Sequence, residues 1–292
     1  MRRALILWLA ACAPPSGPPL SLVTGERVLA LRGTPAEAAP GSTVAFDALV
    51  AAPGGPMTPA LDWSLCHAPR PLTTNDVVSP ACLTAGGVDE IASAPSASTT
   101  IPGDACQLFG PELPPSTPGK PDPRPVAADA SGGWYQPYRA DLGGEMDVGL
   151  QRIRCNLSGA SVDVATQFRT QYLPNVNPSP DPISLDGAGA DGQSVAPGAT
   201  LTLTVGWPDG TAEPYPVFDV ATQTLQPRVE VLRVSWFATA GALAEEHTGS
   251  DGARSSNSFT APSAGGPVDL WAVVRDDRGG VGWSHARLEV EP

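Results

Sequence analysis

The sequence predicts an all-β chain of two tandem β-sandwich modules, the first carrying a long disulfide-bearing loop insertion. Three observations predict it. One order of elements occurs twice: a strand-like run, a Pro-Gly turn, an alternating strand, a loop, and a strand centred on tryptophan. The alternation has period two, which sends successive side chains to opposite faces of a pleated ribbon. Glycine (31) and proline (34) together make up about a fifth of the 292 residues and punctuate many short segments.

The first element is a leader. Met1-Arg2-Arg3 precedes an apolar run from Ala4 to Ala11, and Cys12 follows. A positive start, a short apolar core and small residues before a cut site make a secretory signal peptide at 1–11. The run is far below the roughly 20 residues that span a bilayer. Leu9-Ala10-Ala11-Cys12 resembles the bacterial lipobox. That resemblance implies cleavage before Cys12, lipidation of its sulfur and a membrane anchor. Ala13 follows the cysteine, which implies an outer-membrane lipoprotein of the bacterial cell envelope. Residues 12–21 read as a Pro-rich tether, because proline-rich chain favours stiff polyproline II geometry.

Module 1 is expected at 22–174. A strand-like run at 28–31 leads to the Pro40-Gly41 turn, after which Val44, Phe46, Ala48 and Val50 share one face. Leu61-Asp62-Trp63-Ser64-Leu65 is the tryptophan strand. A long insertion follows at about 67–145, and its stretches at 92–100 and 114–123 have little power to form a core. At its far end Trp134, Tyr135 and Tyr138 form an aromatic cluster. Such a cluster suits a binding surface, but covering the edge of the sandwich is the preferred reading. The strand at 148–155 returns to the module.

With Cys12 lipidated, Cys66, Cys82, Cys106 and Cys155 remain. An even count in an oxidising compartment reads as two disulfides. Three pairings are possible, and Cys66–Cys82 with Cys106–Cys155 is favoured because each joins chain neighbours. Zinc is disfavoured, since no Cys-x-x-Cys spacing is present.

The three X-Pro steps Asn177-Pro178, Ser179-Pro180 and Asp181-Pro182 sustain neither helix nor inner strand, so 175–182 reads as a stiff connector. Module 2 is expected at 183–292. It repeats the order: a run at 183–185, the Pro197-Gly198 turn, then Leu201, Leu203 and Val205 on one face with Thr200, Thr202 and Thr204 opposite. An insertion with Tyr215 and Phe218 precedes the Trp236 strand. Residues 268–274 and 281–290 close the chain as a β-hairpin, with Gly279-Gly280 in the turn.

The Pro-Gly turn, the tryptophan strand and the closing hairpin through Asp276-Asp277-Arg278-Gly279-Gly280 resemble immunoglobulin-like and PKD-like modules of bacterial surface proteins. Antibody-type domains differ: no cysteine sits on the strand after Pro40-Gly41, and module 2 has none at all, so packing around Trp63 and Trp236 must replace the inter-sheet disulfide. The lipobox, the Ala-Pro-Gly strand and Trp63-x-x-Cys66 together look like secreted lipoproteins of GC-rich Gram-negative bacteria such as myxobacteria.

The formal net charge of −13 repels nucleic acid and anionic surfaces. No Gly-x-Ser-x-Gly elbow, His-Glu-x-x-His pair or P-loop occurs, and the three histidines are spread along the chain. Asp276 and Asp277 are weak calcium candidates; turn chemistry is the simpler reading. No cofactor and no metal are expected. The expectation is a non-enzymatic, lipid-anchored envelope protein acting as a binding or adhesion scaffold, with another envelope protein or a glycan as partner. The alternatives are a structural spacer subunit of a larger envelope complex, and an accessory carbohydrate-binding module using Trp134 and Tyr138.

Overall fold

A computed structural model describes residues 18–69, 78–112, 118–119, 131–250 and 252–292. The signal peptide, Cys12 and most of the tether lie outside the described residues, as does nearly all of 114–123.

Module 1 runs through β1 (Arg27–Thr34), β2 (Glu37–Ala38), β3 (Thr43–Ala52), β4 (Gly55–Met57), β5 (Leu61–Cys66), β6 (Val88–Ala94), β7 (Ser96–Thr100), the one-turn α1 (Ala105–Leu108), β8 (Gly133–Leu142) and β9 (Glu145–Arg154). One sheet has β1, β3 and β4 with β7 also on β3; the other has the order β2-β9-β8-β5-β6. The chain switches sheets near its start. β1 pairs antiparallel with β3, whereas β2 pairs parallel with β9.

Helix α2 (Val162–Gln171) then leads into module 2. That module contains β10 (Ser184–Leu185), β11 (Ala188–Gly189), β12 (Ser194–Val195), β13 (Thr200–Gly206), β14 (Pro214–Asp219), β15 (Thr224–Val229), β16 (Arg233–Ala238), β17 (Ala242–Leu243), β18 (His247–Gly249), β19 (Arg254–Thr260), β20 (Gly266–Arg275) and β21 (Val281–Val290). Its sheets have the orders β11-β10-β13-β19-β17 and β12-β21-β20-β16-β18. The same switch recurs: β10 is antiparallel to β13, and β12 is parallel to β21. Both modules are therefore immunoglobulin-like sandwiches with one topology.

The repeated signals occupy equivalent places. Gly41 and Gly198 have φ near +80° and +70°, the left-handed region in which a side chain is strained. Trp63 on β5 and Trp236 on β16 are each 1% exposed at the centre of their sandwiches. Burial leaves an indole N–H to satisfy, and Trp63 donates to the Ala94 carbonyl while Trp236 donates to Thr248 Oγ1. The closing hairpin pairs β20 with β21 over ten positions, from Gly266 opposite Val290 to Arg275 opposite Val281.

The insertion differs in part from expectation. Residues 92–100 lack large apolar side chains, yet they build the end of β6 and all of β7. Backbone pairing to β5 and β3 suffices here, and Ala97 is small enough to seat in the core. The disulfides join Cys66 to Cys82 and Cys106 to Cys155. The second fastens α1 to the residue that follows β9.

The two sandwiches pack side by side. Leu29, Ala30, Leu49 and Ala51 of module 1 form one apolar cluster with Trp271, Val273 and Val281 of module 2. Strands β3 and β20 are consequently buried on both faces: Val50 and Ala272 face their own cores, and Leu49 and Trp271 face the other module. Arg32, held in a two-point ion pair by Asp47, stacks over Trp283 at 4.0 Å. The β14–β15 hairpin reaches back to module 1, where Gln223 accepts from the Ser161 N–H at the start of α2. The end of the tether docks as well. Leu22 bridges Ala238 in parallel, so residues 21–23 add an edge to β16.

Candidate functional site

The densest polar chemistry lies where both modules meet the connector. Two arginines anchor it, each 1% exposed. Arg152 sits on β9, and Arg278 sits in the turn of the closing hairpin.

Arg152 donates to Glu37 Oε2 from Nε at 3.1 Å, and to the hydroxyls of Tyr135 and Tyr172 from its two terminal nitrogens. Tyr172 in turn donates to Glu37 Oε2 at 2.6 Å. Burial pushes the Tyr172 phenol up to about 12, with Arg152 opposing and Glu37 adding to the shift, so it remains a donor.

Arg278 donates to Glu230 Oε1 at 2.6 Å, to Glu213 Oε2 at 2.7 Å and to the Leu173 carbonyl. Its guanidinium lies 4.9 Å from the Tyr215 ring centre and 5.9 Å from that of Tyr172. Glu230 Oε2 accepts from the Glu213 N–H. Burial, then the charge of Asp276, raise Glu230 to about 7, against the opposing pull of the Glu213 N–H and Arg278. Burial raises Asp276 and Glu213 as well. Four carboxyls (Glu37, Glu213, Glu230 and Asp276) share this region with two guanidinium groups, and a low-dielectric surrounding disfavours such an excess of one sign.

The connector is stitched through this network. The Asn175 N–H donates to Glu37 Oε2, and its side-chain amide donates to Asp276 Oδ1. Asn177 bonds main chain on both sides: its amide donates to the Gly33 carbonyl of module 1, and its carbonyl accepts from the Val281 N–H of module 2. A cleft of about 400 Å³ opens beside the network, between Tyr135 and Leu150 on one wall and Asp277, Gly279 and Val281 on the other.

The residues singled out from sequence fall in different places. Trp134, Tyr135 and Tyr138 all lie on β8, where strand alternation puts Tyr135 on the face opposite Trp134 and Tyr138. Tyr138 is 2% exposed, stacks on Phe46 at 4.1 Å and belongs to the core of module 1, which corrects its reading as surface. Burial raises its pKa. Trp134 is half-buried between that core and a smaller cluster around Cys66, Cys82 and Phe109. Tyr135 points the other way, to Arg152 and the cleft. Asp276 performs turn chemistry: Oδ1 accepts from the N–H groups of Arg278 and Gly280. Asp277 accepts from the Tyr215 hydroxyl. Among the described residues, no group of three or more His, Cys, Asp or Glu side chains could hold a metal ion.

Sequence reasoning missed Glu37, Arg152, Asn175, Asn177, Glu230 and Arg278. Helix α2 was also missed, although Ser161 is a recognisable N-cap whose hydroxyl accepts from the Val164 N–H. No helix in the described residues is long and apolar enough to cross a membrane.

No protein family matches the chain, and no curated protein matches it. Solved structures similar to it include the D00-D0 domain of Intimin, at 12% identity over 90% of this chain and 100% of that one, with a TM-score of 0.27. The Yersinia pseudotuberculosis adhesin InvE is 10% identical over 89% of this chain and 58% of its own length, with a TM-score of 0.25. A nucleoside hydrolase-related hypothetical protein from Saccharophagus degradans is 14% identical over 40% of this chain and 26% of its own, with a TM-score of 0.24.

Proposed function

We propose that the protein is a non-enzymatic, lipid-anchored binding or adhesion scaffold of the bacterial cell envelope, held by Cys12 and recognising another envelope protein or a glycan. The observation that carries this reading is the union of the two sandwiches. Their apolar contact and the buried Arg152 and Arg278 networks make one body. Arg152 with Glu37, and Arg278 with Glu213 and Glu230, bond one another and the connector's main chain, which is the work of a frame. Long loops and sheet faces on a rigid sandwich are where such folds place recognition. The lipobox supplies the anchor, and an outer-membrane location follows from Ala13 after Cys12.

Protein extracted in detergent from its host membranes tests the reading. The N-terminal peptide should carry acyl chains on Cys12 by mass spectrometry, and a tagged, lipidated protein should retain a specific envelope protein or glycan that the unrelated domain of a control lipoprotein does not. An intact Met1 with an unmodified Cys12 thiol would overturn the anchor. One observation favours the alternative of a structural subunit. Leu173, Val176, Val229 and Val231 are each at least half exposed around the connector and the β14–β15 hairpin, and exposed apolar surface marks contact sites. Co-purification in fixed stoichiometry with a larger complex would support that alternative.

A further inference from the structure

We propose that the end of the molecule formed by Leu20, Ser21 and residues 239–244 is its lipid-facing surface, resting on the headgroups of the bilayer in which Cys12 is anchored. This inference rests on the reading of Cys12 as lipidated, and adds to it an orientation.

The argument begins with reach. Pro18, the first described residue, follows Cys12 by six positions. Extended chain covers at most ~3.3–3.6 Å per residue, so Pro18 lies within roughly 20 Å of the anchored sulfur whatever path the chain takes. The folded body starts almost at once. The Ser21 carbonyl accepts from the Ala238 N–H at 2.9 Å, and the Val23 N–H donates to the Ala238 carbonyl at 2.9 Å. The Ser21 N–H donates to Glu246 Oε1, and the Leu20 carbonyl accepts from Arg27. The anchor therefore leads to a fixed point on module 2 and not to a free linker.

That point is at one end of β16. The strand runs from Arg233, opposite Arg275 beside the hairpin turn, to Ala238, opposite Leu270. At about 3.3 Å per residue these ends are some 17–20 Å apart. The Arg278 network and the β14–β15 hairpin lie beyond the Arg233 end. They consequently face away from the bilayer, and the Ala238 end faces it.

The chemistry of the near end agrees. Residues 239–244 read Thr-Ala-Gly-Ala-Leu-Ala and carry no charge. Leu20 is 69% exposed. Charged groups border this stretch, since Glu246 accepts from the Ser21 N–H and Arg27 donates to the Leu20 carbonyl, so only 239–244 itself meets headgroups without stripping an ion of its water. The net charge of −13 gives no attraction to anionic lipid, so the orientation rests on the docking of the tether's end at Ala238, which keeps that end of β16 nearer the anchor.

The test uses the full-length protein purified with its lipids and reconstituted into phosphatidylcholine vesicles containing a headgroup-labelled quencher lipid. Ala242→Cys reports on the near end, and Val220→Cys, 62% exposed in the β14–β15 turn, reports on the far end. Each carries a small fluorophore. The expected result is at least threefold stronger quenching at position 242 than at position 220. Equal quenching, stronger quenching at 220, or none at either position overturns the orientation. Mass spectrometry of the same preparation separates the two failures. Acylated Cys12 without the difference sinks the orientation alone, whereas an unmodified thiol sinks the anchor beneath it.

Discussion

Arg278 Nε lies 2.6 Å from Glu230 Oε1, and the two side chains are sealed from solvent at 1% and 0% exposure. The pair sits where module 2 receives the connector, with Glu213 and Asp276 close by and the rings of Tyr172 and Tyr215 flanking the guanidinium. A buried pair of this kind gains little net stability over an apolar replacement, but it is costly to break by removing one member. Its value here is positional. The pair fixes the hairpin turn against Leu173 and so fixes where the connector leaves module 1.

The junction should be firmer in mild acid than in mild base. Glu230 titrates near 7 in the folded protein against an ordinary value of 4.5, so the folded state binds the proton more tightly than the unfolded chain does. That contribution is complete below about 4.5 and is lost as pH rises through about 7. It is worth at most ~3 kcal/mol. Asp276 and Glu213, also raised by burial, act in the same direction. Melting temperature should fall by about 5 °C between pH 5 and pH 8. Glu230→Gln should flatten most of that slope, and an unchanged slope in the variant would remove Glu230 from the account.

Arg278→Met should cost about 3–5 kcal/mol at pH 8, because it leaves the Glu230 carboxylate buried without its cation. The cost should shrink at pH 5, where Glu230 takes up a proton. Combining Arg278→Met with Glu230→Gln should recover part of the loss, giving a coupling above about 1 kcal/mol in a double-mutant cycle by urea unfolding. Strict additivity would show that the two side chains do not act together.

Trp63 and Trp236 were legible in sequence because short periodic segments around them declare strands locally, and Pro40-Gly41 and Pro197-Gly198 declare the turns between. The junction was not legible. Glu37 and Arg152 are 115 positions apart, and Glu230 and Arg278 are 48 apart, so nothing local marks them as partners. One signal was present and went unread. The sequence marks 268–274 and 281–290 as a closing hairpin, and Trp271 and Val273 on one face of its first strand are as apolar as Leu270 and Ala272 on the other. A strand apolar on both faces belongs between two layers, and here the second layer is module 1. Residues 92–100 misled in the opposite sense: alanine and serine carry little hydrophobic signal, but backbone pairing needs none.

The two disulfides should differ in worth. Cys106–Cys155 closes a separation of 49 residues and Cys66–Cys82 one of 16. Loop-closure entropy then assigns them about 4 and about 3 kcal/mol respectively. Denaturant unfolding of the paired serine variants should show the larger loss for the longer loop. The reverse order would mean that tertiary packing around Phe109, and not chain entropy, dominates.

Gly282 offers the sharpest test of the connector. It lies on β21 directly beneath Pro178, and a Cβ built there would run into the Pro178 carbonyl and lie 2.9 Å from Pro180 Cδ. The obstacle is main chain of a proline-rich segment, which cannot turn aside as a flexible side chain would. Gly282→Ala should therefore lift 178–180 from β21 and weaken the neighbouring bond from the Val281 N–H to Asn177. An overpacking cost of about 1–3 kcal/mol is expected. Hydrogen exchange at the Val281 amide should rise at least tenfold, while amides at the centre of β13, remote from the connector, keep their rates. Gly189→Ala is the control, since nothing lies within 4 Å of a Cβ there, and it should leave both readouts unchanged. Unaltered exchange at Val281 in the Gly282 variant would mean that the connector is not held against module 2.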